Sequence, residues 1–171
     1  MFIRLKQIGN IVGGGTPKTN IKGYWNGNIP WITPADLSGF THVYISYGER
    51  TITELGLQSS SAQLLPAGTV LYSSRAPIGY VAIAANPVTT NQGFKSVIPI
   101  INNMSNYLYY CLIARTDEII QRATGTTFKE ISGSQMGEII ISLPPLDEQI
   151  RIYKRIDCLI KILLQIEESL N

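Results

Sequence analysis

The stretch "SLPPLDEQIRIYKRIDCLIKILLQIEESLN", residues 142–171, has the most regular pattern of the sequence and decides how the fold ends. Apolar residues recur in it at alternating steps of four and three, at Ile152, Ile156, Leu159, Leu163, Ile166 and Leu170. That spacing is the a/d seam of a coiled coil. Pro145 suits the first position of a helix, and Asp147 and Glu148 complement the helix dipole in its first turn. The stretch therefore predicts one long C-terminal helix.

A helix of about 25 residues spans about 37 Å, which is long for a domain of this size. Two interpretations are open: a terminal helix that packs on its own domain, or a helix that projects and pairs with another helix. The length favours projection, with the six seam residues as a dimer interface. Ile160, Ile162 and Leu164 widen the apolar surface, so the helix offers more than one face to a partner.

Upstream of this helix, short apolar runs alternate with turn residues. Runs rich in β-branched and aromatic residues predict strands at "NIPWIT", "HVYISY", "GTVLYSS", "YVAIAA" and "FKSVIPI". Helices are predicted for "TITELGLQSS" and from Ser105 to about Ala123, and a further strand from Glu138 to Ser142. This mixed order predicts an α+β fold. We expect a globular mixed-sheet domain at residues 1–143, followed by a coiled-coil-forming helical region at residues 144–171.

Composition places the chain among folded globular proteins. It has 171 residues, of which 44% are hydrophobic and 15% are charged. No apolar run reaches the roughly 18 residues of a membrane span, and the first residues do not resemble a signal peptide. We therefore expect a cytoplasmic protein without a membrane segment. Two distant cysteines and a single histidine do not predict a metal site.

Charge is distributed unevenly along the sequence. Residues 1–130 contain ten Lys and Arg against six Asp and Glu, whereas residues 131–171 contain four against six. The larger part is mildly basic, which is a weak indication of an anionic partner.

The run "GGGTPKT", residues 13–19, has some of the residues of a nucleotide-binding loop. The phosphate-binding template, aligned on Lys18 and Thr19, requires glycine where this sequence has Val12 and Pro17. Proline removes a backbone N–H donor at the tightest point of the loop. A nucleotide site is therefore not the favoured prediction, and no other arrangement of nucleophile, base or metal ligands predicts catalysis by this chain.

Polar loops with a cation recur instead at "GGGTPKT", "YSSRAPIGY", "TTNQGFKS" and "ATGTTFKE". Arg and Lys suit guanine edges or phosphates, Gln suits adenine, and Thr suits phosphate oxygens or the thymine methyl group. Such turns also simply connect strands. The candidate DNA-binding residues in these loops are Thr16, Lys18, Arg75, Gln92, Lys95, Thr126, Thr127 and Lys129.

The segments "GGGTPKT", "GNIPWITPADL", "SSRAPIGYVAIA", "NQGFKSV" and "ATGTTFKEIS" occur in this order. They resemble the recurrent segments of a target recognition domain in the specificity subunit of type I restriction-modification systems. The proline pair, the "DEQ" after it and Asp157 resemble the start of that family's conserved helical region. The resemblance covers nearly the whole chain, and the joint order is more specific than any single segment.

The resemblance implies a DNA-reading subunit without catalysis of its own. In the family, two target recognition domains joined by two long helices each read one half of an interrupted site in double-stranded DNA. The implied partners are methyltransferase subunits, which use S-adenosylmethionine, and restriction subunits, which hydrolyse ATP. No cofactor is expected on this chain. The sequence departs from the family in having one recognition domain and one helical region, so a natural half-size subunit, a truncated product and an excised piece are all open.

Two copies that pair antiparallel through the seam would restore the two-domain layout, which predicts a homodimer on a palindromic split site. Helices of about 37 Å correspond to roughly eleven base pairs between half-sites. We expect base-edge contacts from Arg75, Gln92 and Lys129, and phosphate contacts from Lys18 and Lys95. The alternatives are a scaffold that dimerises through its last helix without reading DNA, and a small enzyme with a nucleotide in the residue 13–19 loop.

Overall fold

The chain folds into small β-sheets surrounded by helices, and the last helix is by far the longest. The computed structural model describes residues 1–101, 103–125 and 129–170. The strands are β1 (Phe2–Arg4), β2 (Gly9–Gly13), β3 (Trp25–Ile32), β4 (Tyr44–Ile45), β5 (Arg50–Ile52), β6 (Val70–Ser74), β7 (Ile78–Ala84), β8 (Thr89–Thr90), β9 (Lys95–Pro99) and β10 (Ile140–Ser142). The α-helices are α1 (Glu54–Gln58), α2 (Ser105–Ala114), α3 (Thr116–Arg122), α4 (Gly133–Gly137) and α5 (Leu146–Leu170).

The largest sheet has five strands in the order β2-β9-β6-β7-β4. Its neighbours are antiparallel except for β4, which runs parallel to β7 at the edge. Because successive side chains of a strand point to opposite faces, β6 divides its apolar residues between two cores. Val70 and Tyr72 join one core and Leu71 joins the other. The predicted α+β fold with mixed sheets is therefore confirmed.

The two faces of this sheet are covered by different elements. On one face, α2 and α3 contribute Leu108, Leu112 and Ile119, all completely buried. On the other face lie Ile32 from β3 and Val88, just before β8, which are also completely buried. The sheet is thus the common support for the helices on one side and for a second, smaller sheet on the other.

The smaller sheet has the order β5-β3-β8 and is built around two tryptophans. β3 runs antiparallel to β5 and parallel to β8, with Trp31 opposite both Arg50 and Thr89. The pairing of β3 with β5 shifts between Trp25 and Ile29, since both lie opposite the same residue of β5. This bulge brings the Trp25 and Trp31 rings together edge to face, with their centroids 5.0 Å apart.

A two-stranded sheet joins the start of the described chain to the residues before the last helix. β1 pairs antiparallel with β10, and Phe2 lies opposite Ser142. The sequence did not predict β1, because a three-residue strand carries no recognisable alternation of its own. The pairing fixes the point from which α5 leaves the domain.

The helix predicted from Ser105 to about Ala123 is in fact two helices, α2 and α3, which meet at Arg115. The Thr116 hydroxyl donates to the Leu112 carbonyl at 3.0 Å, a local bond that competes with a regular helix. The Tyr72 hydroxyl also contacts Thr116, at 3.3 Å. The break at Arg115 lets α3 turn and bury Ile119 in the core.

The long terminal helix is confirmed, because α5 runs for 25 residues from Leu146 to Leu170. The first half of α5 packs on α2, and Gln149, close to the start of the helix, is buried. Every side chain from residue 158 to residue 170 is exposed. The helix therefore packs on its own domain only at its base and projects beyond it.

Candidate nucleic-acid interface

The residue 13–19 loop, which follows β2, lies tightly on the rest of the chain. The Gly15 backbone N–H donates to the Thr90 carbonyl at 2.9 Å. A Cβ on Gly14 would lie 1.9 Å from the Asn91 oxygen, and one on Gly15 would lie 2.2 Å from the Ala62 nitrogen. These glycines allow the loop to pack closely against neighbouring backbone.

Two indoles hold the backbone of the same loop. The Trp31 Nε1–H donates to the Gly15 carbonyl at 2.9 Å, and the Trp25 Nε1–H donates to the Lys18 carbonyl at 3.2 Å. The Lys18 side chain itself is exposed. The loop is therefore fixed by its main chain and leaves its cation in solvent.

The loop between β8 and β9 contacts the residue 13–19 loop through side chains. The Thr16 hydroxyl donates to Oε1 of Gln92, whose side chain is exposed. The Gly93 N–H donates to Oδ1 of Asn91 at 2.9 Å. The Gly93 carbonyl accepts from the Ser74 N–H at 2.7 Å. Ser74 precedes Arg75, so this contact joins the loop "YSSRAPIGY" to the loop between β8 and β9.

Arg75 and Lys95 meet at one carboxylate that the sequence prediction did not include. Lys95 Nζ lies 3.0 Å from Oε1 of Glu130, and Arg75 Nη1 lies 3.6 Å from Oε2. The Lys95 side chain is 17% exposed, and the side chains of Arg75 and Glu130 are each 36% exposed. The carboxylate holds both cations in place and neutralises part of their charge.

The loop "ATGTTFKE" contacts the other polar loops through residues at its two ends. Thr124 and Glu130 exchange backbone hydrogen bonds of 3.1 and 2.9 Å, and the Ile131 N–H donates to the Ser74 carbonyl at 3.1 Å. Lys129 is exposed. The predicted residues Thr126 and Thr127 lie outside the described residues.

All four polar loops therefore meet, although they are far apart in the sequence. We call residues 13–19, 75–79, 90–95 and 129–130 the loop surface. It combines cations, an exposed amide and a hydroxyl, which are the side chains that contact phosphates and base edges in nucleic-acid complexes.

Sequence reasoning missed two charged residues beside these loops, Glu130 and Arg50. Glu130 adjoins Lys129 in "ATGTTFKE", and its position next to a predicted cation was an available signal. Arg50 begins β5, is exposed, and places its guanidinium carbon 3.6 Å from the centroid of the Trp25 ring. No pattern in the sequence indicates that contact, because it depends on the bulge in β3.

The predicted seam of α5 is divided between two environments. Ile152 and Ile156 are half-buried near the domain. The other four, Leu159, Leu163, Ile166 and Leu170, are exposed, with Leu163 at 63% and Leu170 at 81%. The outer seam is thus an apolar surface that this chain does not cover.

A second apolar face of α5 points to its own domain. Ile156, Ile160 and Leu164 line a groove whose opposite wall includes Tyr110 and Ile113 of α2. The Tyr110 hydroxyl donates to Oδ1 of Asp157 across this groove. Burial, followed by the contact with Asp157, raises the pKa of Tyr110.

The described parts of the chain contain neither a metal-binding cluster nor a membrane-spanning helix. Within residues 1–101, 103–125 and 129–170, no three His, Cys, Asp or Glu side chains are grouped so that they could hold a metal ion. Among the helices of these residues, none is both long enough and apolar enough to cross a membrane.

Known proteins that resemble this chain at substantial identity include specificity subunits of type I restriction enzymes. The specificity subunit of the type I restriction enzyme MjaIX from Methanocaldococcus jannaschii is 49% identical over 151 residues, which cover 87% of this chain and 35% of that protein. The specificity subunit of the type I restriction enzyme EcoR124I/EcoR124II from Escherichia coli is 34% identical over 160 residues, covering 90% of this chain and 39% of that protein. The chain thus spans well under half the length of these relatives.

Solved structures share the fold. The HsdS subunit from Thermoanaerobacter tengcongensis superposes with a TM-score of 0.76 at 21% identity, covering 99% of this chain and 39% of that chain. The S subunit of a type I restriction-modification system from M. genitalium gives a TM-score of 0.64 at 15% identity, covering 98% of this chain and 41% of that chain. A family model described as the type I restriction modification DNA specificity domain matches residues 1–171. The chain therefore belongs to the family of type I restriction-modification DNA specificity domains.

Proposed function

We propose that this chain reads double-stranded DNA as part of a type I restriction-modification specificity subunit, with the loop surface against the duplex. It directs methyltransferase and restriction subunits to a DNA site in the cytoplasm and contributes no catalytic group. The observation that carries the proposal is the meeting of four loops, drawn from residues 13 to 130, in a chain of this family.

The side chains of the loop surface suit two kinds of contact. Arg75, Gln92 and Lys129 read base edges, and Lys18 and Lys95 bind phosphates, as their chemistry predicts. Glu130 supports the assignment of Arg75, because a guanidinium held by a carboxylate has fewer orientations to lose on binding a base.

Partner subunits supply the chemistry. Methyltransferase subunits bind S-adenosylmethionine and modify the site, and restriction subunits use ATP. The net charge of this chain is only +2, so we assign much of the phosphate contact to the methyltransferase subunits.

The outer seam of α5 supports a homodimer. Two copies paired antiparallel place two loop surfaces on one duplex, and their two-fold symmetry requires a palindromic split site. The paired helices set the spacer at roughly eleven base pairs, and a change in helix length changes the spacer.

Methylation mapping in the source cell tests the function as a whole. We expect one interrupted, palindromic motif whose methylation disappears when this chain is deleted and returns when it is supplied again. Methylation that is unchanged by deletion, together with no sequence preference in gel shifts with the methyltransferase subunit, would favour the scaffold alternative.

Arg75→Ala tests the loop surface itself. If Arg75 reads a base, the complex with the methyltransferase subunit should lose about 1–3 kcal/mol of binding free energy for the mapped site. Binding to a scrambled duplex should change much less. Fluorescence anisotropy titrations at one fixed salt concentration measure both losses.

The control for this substitution is Arg151→Ala. Like Arg75, Arg151 has a carboxylate partner, Glu148, but it is more exposed and lies on α5. Equal binding by the Arg75 and Arg151 variants would remove Arg75 from the base-reading residues.

A further inference from the structure

Arg50 is an exposed cation that is held in one position by aromatic rings. Its guanidinium carbon lies 3.6 Å from the centroid of the Trp25 ring and 5.4 Å from that of the Trp31 ring. Both tryptophans are buried, at 7% and 4% exposure, so the guanidinium packs on rings that are held inside the fold. A cation held over an aromatic ring in this way keeps N–H donors available on its solvent side.

The same two rings hold the residue 13–19 loop. The Trp25 and Trp31 indole N–H groups donate to the carbonyls of Lys18 and Gly15. Arg50 therefore lies beside the loop surface and is linked to it through two shared, buried rings. β5 is also an edge strand of its sheet, and the Arg50 side chain is exposed, so a large partner can reach it.

Arg50 differs from Arg75, the arginine of the loop surface, in how a carboxylate balances its charge. Arg75 shares the carboxylate of Glu130 with Lys95, so part of its charge is neutralised. In the described part of the chain, no carboxylate lies within ion-pairing distance of Arg50. Arg50 is thus a preorganised cation with its full charge, next to loops that are rich in donors.

We propose that Arg50 binds a backbone phosphate of the DNA that the loop surface recognises. The inference rests on the proposed function. A guanidinium whose carbon lies 3.6 Å from the centroid of the buried Trp25 ring has one side covered by protein, which suits a contact with a phosphate oxygen and does not suit insertion into a groove to read bases. Arg50 therefore contributes affinity and register, and Arg75 and Gln92 contribute sequence preference.

The test uses the full chain in complex with the methyltransferase subunit of its own system. The probes are a duplex that carries the mapped methylation site and a scrambled duplex of the same length. Arg50→Met removes the charge while its side chain still covers the Trp25 ring. Arg50→Lys retains the charge and loses the planar stacking group. Arg151→Met is the control, because it removes an exposed arginine at a site on α5.

For Arg50→Met we expect about ten-fold weaker binding to both duplexes. The slope of log affinity against log salt concentration should fall by about one. Arg50→Lys should keep the wild-type salt slope with an intermediate affinity, and Arg151→Met should match the wild type in both measurements.

Different failures of this experiment are distinguishable. Unchanged affinity and salt slope for Arg50→Met, in a complex that still prefers the mapped site, would overturn the role of Arg50 and leave the proposed function standing. Weaker binding to the mapped site alone would also overturn it, because it would make Arg50 a base-reading residue. A wild-type complex that prefers neither duplex would contradict the proposed function itself. Circular dichroism and tryptophan fluorescence confirm that each variant is folded.

Discussion

Gly14 determines how closely the residue 13–19 loop lies on the chain that follows β8. A Cβ at this position would lie 1.9 Å from the Asn91 carbonyl oxygen and 2.5 Å from that of Thr90. Both are backbone atoms, which cannot move aside as the end of a flexible side chain can. We expect Gly14→Ala to lower the free energy of unfolding by about 1–3 kcal/mol, the usual cost of overpacking. Denaturant unfolding followed by tryptophan fluorescence measures this change.

The adjacent glycine is a matched control for that substitution. A Cβ on Gly13 would have the Lys95 Cδ as its nearest neighbour, at 4.0 Å, which is an ordinary contact. Gly13→Ala should therefore unfold at nearly the wild-type denaturant concentration. Equal stability of the Gly13 and Gly14 variants would show that close backbone packing does not hold this loop.

At the scale of elements, one contact between two helices orients α5 on the domain. Tyr110 of α2 donates to Asp157 of α5, and burial together with this contact raises the pKa of the phenol. We expect Tyr110→Phe to cost about 1 kcal/mol, since a hydrogen bond typically contributes about that much. Hydrogen exchange at the backbone amides of residues 150–157 should then be about five-fold faster. Mass spectrometry of the exchanged chain gives this rate.

Tyr109 is the comparison for this prediction, because it precedes Tyr110 on α2 and its ring lies 5.0 Å from the Tyr110 ring. Among the described residues, its hydroxyl has no hydrogen-bond partner. Tyr109→Phe should leave exchange in α5 unchanged. Similar acceleration in both variants would indicate a loss of ring packing and not of the bond to Asp157.

Elements with a local pattern were predictable from the sequence, including short ones such as β10, whereas a strand defined by a distant partner was not. The spacing of apolar residues predicted α5, and β-branched runs predicted β6, β7 and β9. β1 depends on β10, its partner at the far end of the sequence, and no local pattern encodes that pairing. The residues of the candidate site were likewise only partly predictable from local sequence. Cations in loops were recognisable, whereas the shared carboxylate of Glu130 and the stacking of Arg50 required the three-dimensional register.

At the scale of the whole molecule, the two apolar faces of α5 differ in what they face: one lies toward its own domain and the other is exposed. The base of α5 packs on α2, which holds the helix to the domain, and Ile156, Ile160 and Leu164 line the open groove beside this contact. The outer seam, which begins with Leu159 and Leu163, is an exposed apolar surface of a kind that usually marks an interaction site. A second copy paired antiparallel covers this seam in both chains at once, because a two-fold axis presents the same surface to each partner.

The double substitution Leu159→Glu with Leu163→Glu tests this assembly. Burying one leucine contributes about 1.5–3 kcal/mol. A symmetric interface would lose two leucines from each chain and would also have to bury four carboxylates. We expect the wild-type chain to sediment as a dimer and the variant as a monomer. Gln165→Glu with Ser169→Glu adds the same charge outside the seam and should remain dimeric. A wild-type chain that stays monomeric at high concentration would contradict the homodimer, and the outer seam would then need a different helix as its partner.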